Sequence, residues 1–418
     1  MKFIKTPVKG TNDILPSEMR LRQSILNKMR VSYSRYGFEE IETPIMEHIE
    51  NLTSKQGGDN EKLIFKIMKR GAELSRAMEN GGELSDMGLR YDLTVPLARY
   101  YANNAAKIPS PFKAMQLAPV FRADNPQKGR FRQFMQCDID VLGDPTNCAE
   151  IELISATADM LSELLKGADV GDITVRINDR RILTAAAKHA GFSLEDVPSL
   201  LISLDKLDKI GYEGVQRELI EKGYDSGKVA EYLSLYKASC ESSSCAEFCK
   251  SLGEVDGGVV SNLCEIIDCC TASVPENINI KFDPTLVRGM GYYTGPIFEV
   301  GLGKYSFSVA GGGRYDEMIE KFSGMKTEAV GFSIGFERIV TVLSDSGVGG
   351  INATDCGIAF LVDKSVPTAR KMEIFNTARA LRDEGKVVTV QSMKRNLKAQ
   401  ISDLEKSGYA DFRKIYND

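Results

Sequence analysis

The chain has 418 residues, too many for one typical hydrophobic core, so two or three domains are expected. Hydrophobic residues at 43% and charged residues at 27% exclude a disordered or fibrous chain, and a formal charge of -5 excludes a wholly basic DNA-binding coat while allowing a local basic face. No run of about 18 apolar residues is present to span a membrane, and MKFIKTPVKGTNDILP lacks the apolar core of a signal peptide. A cytoplasmic protein with neither membrane nor DNA as partner is expected.

Residues 18–36, after the turn-like GTNDILPS, have the pattern of an amphipathic helix. FEEIETPIMEH then alternates and breaks at Pro44, as an edge or dimer-contact strand would. Residues 61–68 suggest another strand, and the polar stretch 71–86 suggests a loop. LRYDLTVPLARYYA passes from strand to helix, with Thr94 and Pro96 suited to the helix start. Residues 111–143 read as two strands joined by a polar, basic loop, residues 148–166 as a helix, and ITVRIN as a strand. A helical region over roughly 185–275 has the character of an insertion. Strands return between Ile278 and Gly312, followed by helices near Glu317 and over 335–343.

The stretch SDSGVGGINATD reads as a linker, centred on 346–355. Beyond it, CGIAFLV and KVVTVQ are two strand signals and two helices accompany them, a small α/β module over 356–418. The nine cysteines of a leaderless chain are expected to be mostly free thiols. Six of them fall between Cys240 and Cys270, but with no CxxC pair and no nearby histidine a zinc site has little support.

Chemistry concentrates in FRADNPQKGRFRQFMQ. Arg122, Lys128, Arg130 and Arg132 crowd one hairpin, with Arg122 and Arg132 expected on the strands themselves. A guanidinium buried in a sheet needs an anion, and phosphate matches its planar fork. Phe134, two residues beyond Arg132, shares a strand face with it and can stack a purine. A second cluster, GGGRYD with AVGFSIGFERIV, places three glycines for close backbone approach and Arg338 near a strand-to-helix transition. In LVRGMGYYTGPIFEV, Arg288 and the pair Tyr292 and Tyr293 stand in a glycine-punctuated turn that opens a strand. Read alone, that stretch suits a core hairpin as well as a site. No GxxxxGK[ST] occurs, and no GxGxxG lies between a strand and a helix, so a bound nucleotide must be held by arginines on a sheet.

Together these stretches resemble the class II aminoacyl-tRNA synthetases and, among them, the histidyl-tRNA synthetases. FEEIETPIMEH, FRADNPQKGRFRQFMQCDIDVLG and AVGFSIGFERI are similar to the three class motifs, and LVRGMGYYTG and GGGRYD to histidine-specific ones. The resemblance implies an α+β fold: an antiparallel-sheet catalytic domain over 1–345 flanked by helices, carrying the 185–275 insertion, then a shortened anticodon-binding-like α/β domain. It implies activation of L-histidine by ATP to histidyl-adenylate, with Mg2+, and transfer to the 3′ end of the histidine tRNA by a homodimer. Arg122, Arg288 and Arg338 would be catalytic. Asp124 and Phe134, with Arg122 and Arg338, would bind ATP. Asp92, Thr94, Gln136, Asp140, Tyr292, Tyr293 and Tyr315 would bind histidine, together with Arg122 and Arg288. Gln127, Lys128 and Arg130 would meet the tRNA acceptor end. The resemblance names no metal ligands. The alternative it leaves is the synthetase-like regulatory subunit of ATP phosphoribosyltransferase, which charges no tRNA.

Overall fold

A computed structural model describes residues 3–53, 60–126, 130–239, 244–253, 255–288, 291–347 and 357–417. The organising element is an eight-stranded sheet. In spatial order its strands are Glu39–Glu40, Phe112–Phe121, Gln133–Leu142, Ala329–Gly335, Ser308–Arg314, Pro296–Leu302, Ile173–Asp179 and Ile278–Phe282. The interior pairings are antiparallel, and only the two edge strands join in parallel. The Gln133–Leu142 strand is buried along its C-terminal half, where Ile139, Val141 and Leu142 leave almost no surface. The helix Cys148–Leu164 buries most of its surface, Leu153, Ile154, Ala156 and Leu161 completely, and turns Glu152, Asp159 and Glu163 outward.

The N-terminal helix runs over Pro16–Ser34. The segment broken by Pro44 divides in two: Glu39–Glu40 joins the main sheet, and Met46–His48 joins a small sheet with Ser85–Leu89 and Lys66–Met68. Two readings need correction here. Residues 61–68 are a 3-10 turn, Asn60–Leu63, followed by a strand of three residues, Lys66–Met68. The stretch read as a loop contains the helix Gly71–Glu79: its Ala, Glu, Leu, Arg and Met are strong helix formers, and Ala77 is buried. A third correction concerns the basic hairpin. Arg122 and Arg132 lie one residue outside the paired strands, joined by a backbone hydrogen bond of 2.9 Å from Arg122 N–H to the Arg132 carbonyl.

Six helices fill the region between Asp179 and Ser273 among the described residues, starting with Arg180–His189, capped by Asp179, and ending with Gly257–Ser273, capped by Asp256. Seven cysteines among the described residues are free thiols, and no group of three metal-ligating side chains is found among those residues. Among the described residues no helix is long and apolar enough to cross a membrane.

The chain divides into two units, residues 1–13 with 24–347, and residues 14–23 with 348–418. Within the second, three parallel strands lie in the order Val388–Ser392, Gly357–Val362, Tyr409–Ile415. The central strand is buried on both faces: Ile358, Phe360 and Val362 pack with Ile374, Ala378 and Val388, while Ala359 and Leu361 pack with Leu404. That third strand corrects the reading of two. YADFRKI is too charged to announce a strand, yet Phe412 and Tyr409 pack against one cluster and Ile415 against the other. Arg413 and Lys414 sit on this edge strand. Of the expected linker 346–355, residues 348–355 lie outside the described residues.

Candidate active site

Alternation along three strands builds a cleft of about 870 Å³ on one face of the large sheet. On the Gln133–Leu142 strand, Gln136, Asp138 and Asp140 point to the same side, as residues spaced by two must. Opposite them across the ladder stand Gly335, Ser333 and Gly331 of the Ala329–Gly335 strand. A row further along, Arg176, Glu299 and Gly311 lie side by side on three neighbouring strands. The cleft is lined by Asp92, Thr94, Arg122, Asp124, Arg130, Phe134, Gln136, Asp140, Arg288, Tyr292, Tyr293, Tyr315 and Arg338. These are all the site residues named from the sequence except Gln127 and Lys128, which lie outside the described residues.

The glycines explain how such large side chains fit. The Arg288 guanidinium lies directly over Gly311, so close that a Cβ there would overlap it. Asp140 lies against Gly331 in the same way. Gly313 opens a place for Tyr293, whose ring would come within 2.9 Å of any Cβ at that position.

Three arginines occupy one region. Arg122 donates from Nε to the Tyr91 carbonyl at 3.1 Å and from Nη2 to Gln136 Oε1 at 3.2 Å. Its guanidinium carbon lies 4.3 Å from the centre of the Tyr91 ring and 5.1 Å from that of Phe134. Arg288 donates from Nη1 to Glu299 Oε2 at 2.6 Å, and its buried Nε has no partner within the described structure. Burial works against its charge, and Tyr293 and Glu299 more than offset this. Glu299 also accepts from Arg176, which reaches Asp283 at 3.3 Å. Arg338 donates from Nη1 to the Ser308 carbonyl at 2.5 Å, and its guanidinium carbon lies 5.6 Å from the Phe307 ring centre. Burial, with Arg288 nearby, lowers its affinity for a proton even though Glu299 opposes this. Desolvated cations held close to one another favour a polyanion that can neutralise them together.

The neighbouring region has the opposite character. Asp92, Asp138 and Asp140 are all buried, between 2% and 4% exposed. Asp92 Oδ1 accepts the Val95 N–H at 3.1 Å and so caps the Thr94–Asn104 helix. The Tyr315 hydroxyl donates to Asp140 Oδ1 at 2.6 Å. Burial, reinforced by Asp138, holds the Asp140 carboxyl well above the usual carboxylate range. Burial likewise pushes the Asp138 carboxyl up to about 7, against hydrogen bonds from Ser333 and Gln136 that favour its charged form. Tyr292 stands between Tyr293, ring centres 4.9 Å apart, and Tyr315, 6.0 Å apart and nearly perpendicular. Its hydroxyl is hydrogen-bonded with Thr94. Clustered buried carboxylates raise one another's pKa, and a cationic ligand relieves that cost.

Several supporting groups escaped the sequence reading. Asp138 and Ser333 lock Gln136, Glu299 and Arg176 brace Arg288, and the fully buried Arg90 ties the Thr43 carbonyl, at 2.7 Å, to the Pro119 carbonyl, at 2.8 Å. The alternation Gln136, Asp138, Asp140 was the one available signal. The other partners come from strands far apart in sequence.

An antiparallel sheet carrying arginines for an anion, with no glycine loop at a helix tip, is the architecture of a class II aminoacyl-tRNA synthetase catalytic domain. The family model described as histidyl-tRNA synthetase matches residues 10–339. A histidine–tRNA ligase of Leifsonia xyli subsp. xyli is 42% identical, with 97% of this chain and 94% of that protein aligned. One of Bacteroides fragilis is 38% identical over 80% of this chain and 76% of the relative. Among solved structures, histidyl-tRNA synthetase from Nostoc sp. PCC 7120 is similar with a TM-score of 0.77 at 28% identity, covering 97% of this chain and 90% of that one. A Bacillus halodurans protein titled as an ATP phosphoribosyltransferase regulatory subunit/histidyl-tRNA synthetase has a TM-score of 0.77 at 21% identity, covering 99% of each chain, a likeness of fold. The chain belongs to the histidyl-tRNA synthetase family.

Proposed function

We propose that this protein is a histidine–tRNA ligase, and that the convergence of Arg122, Arg288 and Arg338 in one cleft beside buried carboxylates and tyrosines carries that reading. In the first step the histidine carboxylate attacks the α-phosphate of ATP. A bond forms from a carboxylate oxygen to phosphorus, the bond to the bridging oxygen breaks, and pyrophosphate leaves with its electron pair. In the second, a hydroxyl at the 3′ end of the tRNA attacks the activated carbonyl, and AMP departs. No side-chain nucleophile is required. Catalysis is positioning and stabilisation of crowded phosphate charge.

Arg122 and Arg288 flank the α-phosphate and the attacking carboxylate, and Arg338 holds the γ-phosphate end of a bent triphosphate. Phe134 stacks the adenine and Asp124 addresses its edge. Asp92, Thr94 and Gln136 receive the α-ammonium, and Asp140, fixed by Tyr315, receives an imidazole N–H between Tyr292 and Tyr293. A pocket of paired polar groups rejects apolar analogues strongly because an analogue leaves those groups unsatisfied. Among the described residues no group of three metal-ligating side chains is found, and Glu299 is engaged by Arg176 and Arg288. Mg2+ would enter on the triphosphate as part of the substrate.

Arg130, with Gln127 and Lys128, contacts the acceptor end of the tRNA. The unit over 356–418 contacts the anticodon stem through its basic residues, the protein works as a homodimer, and it acts in the cytoplasm. The regulatory-subunit alternative is disfavoured by the joint presence of all three arginines. Histidine-dependent exchange of pyrophosphate into ATP, followed by charging of a histidine tRNA transcript, tests the proposal. Exchange without charging would favour a histidine-activating protein that has lost its tRNA, and absence of both in folded protein would refute the enzyme.

A further inference from the structure

We infer that Asp138 is a positioning residue that fixes which end of the Gln136 amide faces Arg122 and the substrate; this rests on the histidine-binding role proposed above. A glutamine amide has two orientations that are equivalent in shape and opposite in polarity. Here Nε2 of Gln136 faces Asp138, 3.3 Å from Oδ1 and 3.2 Å from Oδ2, and also Ser333 Oγ at 3.0 Å. Oε1 is thereby turned to Arg122 Nη2 at 3.2 Å. Rotating the amide by half a turn would place an oxygen against the Asp138 carboxylate and an NH2 against a guanidinium. Both contacts would be repulsive, so the carboxylate selects one orientation.

Asp138 is itself held. The Ser333 hydroxyl donates to its Oδ1 at 2.5 Å from the directly paired position on the neighbouring strand. The chain of contacts is therefore Ser333 to Asp138 to Gln136 to Arg122, across two strands. An amide oxygen has two lone pairs. With one taken by Arg122, the second is presented to the cleft, where an ammonium group can donate to it. Asp138 thus sets the acceptor character of the amide without being required to touch the amino acid.

The test is equilibrium binding of radiolabelled histidine and of ATP to the wild type, D138A, Q136E and the double variant D138N/Q136E, each checked for folding by its thermal melt. D138A frees the amide, and histidine affinity should fall about tenfold or more while ATP affinity stays within about threefold. Q136E sets a second carboxylate against Asp138 and should lose a similar factor. In D138N/Q136E the asparagine NH2 donates to Glu at 136, whose other oxygen still accepts from Arg122, so histidine affinity should recover to within about fivefold of the wild type. Unchanged histidine affinity in D138A, or a double variant no better than Q136E, would overturn the inference alone. A folded wild type that binds no histidine would overturn the ligase reading and this inference with it.

Discussion

Within one cleft, two regions solve the problem of buried charge in opposite ways. Around Arg122, Arg288 and Arg338 the protein spreads partial compensation: aromatic faces, backbone carbonyls and the carboxylate Glu299, which Arg288 shares with Arg176. Around Asp138 and Asp140 it supplies hydroxyls and an amide, and lets the carboxyls rise above their usual range instead of pairing each with a cation. The first region remains charged and calls for a polyanion. The second can hold protons until a cationic ligand arrives. A triphosphate and an amino acid bearing an ammonium and an imidazole match the two regions in that order.

The comparison can be broken by removing a group from one side and reading both ligands. The largest effect is expected from Arg288→Ala. It should reduce the rate of adenylate formation by about 10²–10³-fold, while histidine affinity measured separately, to which Arg288 adds only its contact with the carboxylate, falls far less. Equal loss of both would make Arg288 structural. Gly311→Ala attacks the same arginine from beneath, since the new methyl occupies the guanidinium's seat. The displaced cation should cost at least about tenfold in adenylate formation with the melting temperature little changed, whereas unaltered kinetics would show that Arg288 can be seated elsewhere.

On the other side, Tyr315→Phe removes the hydroxyl that donates to Asp140. An unsatisfied buried carboxyl costs about 1–3 kcal/mol, so the KM for histidine should rise between fivefold and a hundredfold with the KM for ATP unchanged. A parallel rise for ATP would deny the division of the cleft.

The smallest effect is on stability against pH. Asp138 faces Asp92, Asp140 and Arg122, and burial raises its folded pKa to about 7 from an ordinary 3.8. Between those values the folded state binds more protons than the unfolded chain, so the stability contributed by this group is full below about pH 4 and is lost as pH rises through 7. Without substrate, Asp138→Asn should therefore gain melting temperature relative to the wild type from pH 5 to pH 8. A constant difference would mean that Asp138 does not titrate in that window.

Much of the first region was legible in the sequence because its signals are local. Arg122 and Phe134 flank one hairpin, and Arg288 stands beside two tyrosines within six residues. The bracing groups were not legible. Ser333 meets Asp138 across 195 positions, and Arg176 meets Glu299 across 123, so only strand order brings them together. Gly311 showed the same limit: a run of three glycines announces close approach without saying what approaches. The helix Gly71–Glu79 and the strand Tyr409–Ile415 escaped for a different reason. The helix is short, with Ala77 its one buried residue, and in the strand Asp411, Arg413 and Lys414 interrupt the apolar residues that pack inward.

The division of the cleft is tested most directly by measuring histidine and ATP binding separately to Arg338→Ala and Asp140→Asn. Arg338→Ala should lose ATP affinity by about tenfold or more and keep that for histidine, and Asp140→Asn should do the reverse. If either folded variant loses both ligands together, the two regions are not the separate seats for phosphate and amino acid described here.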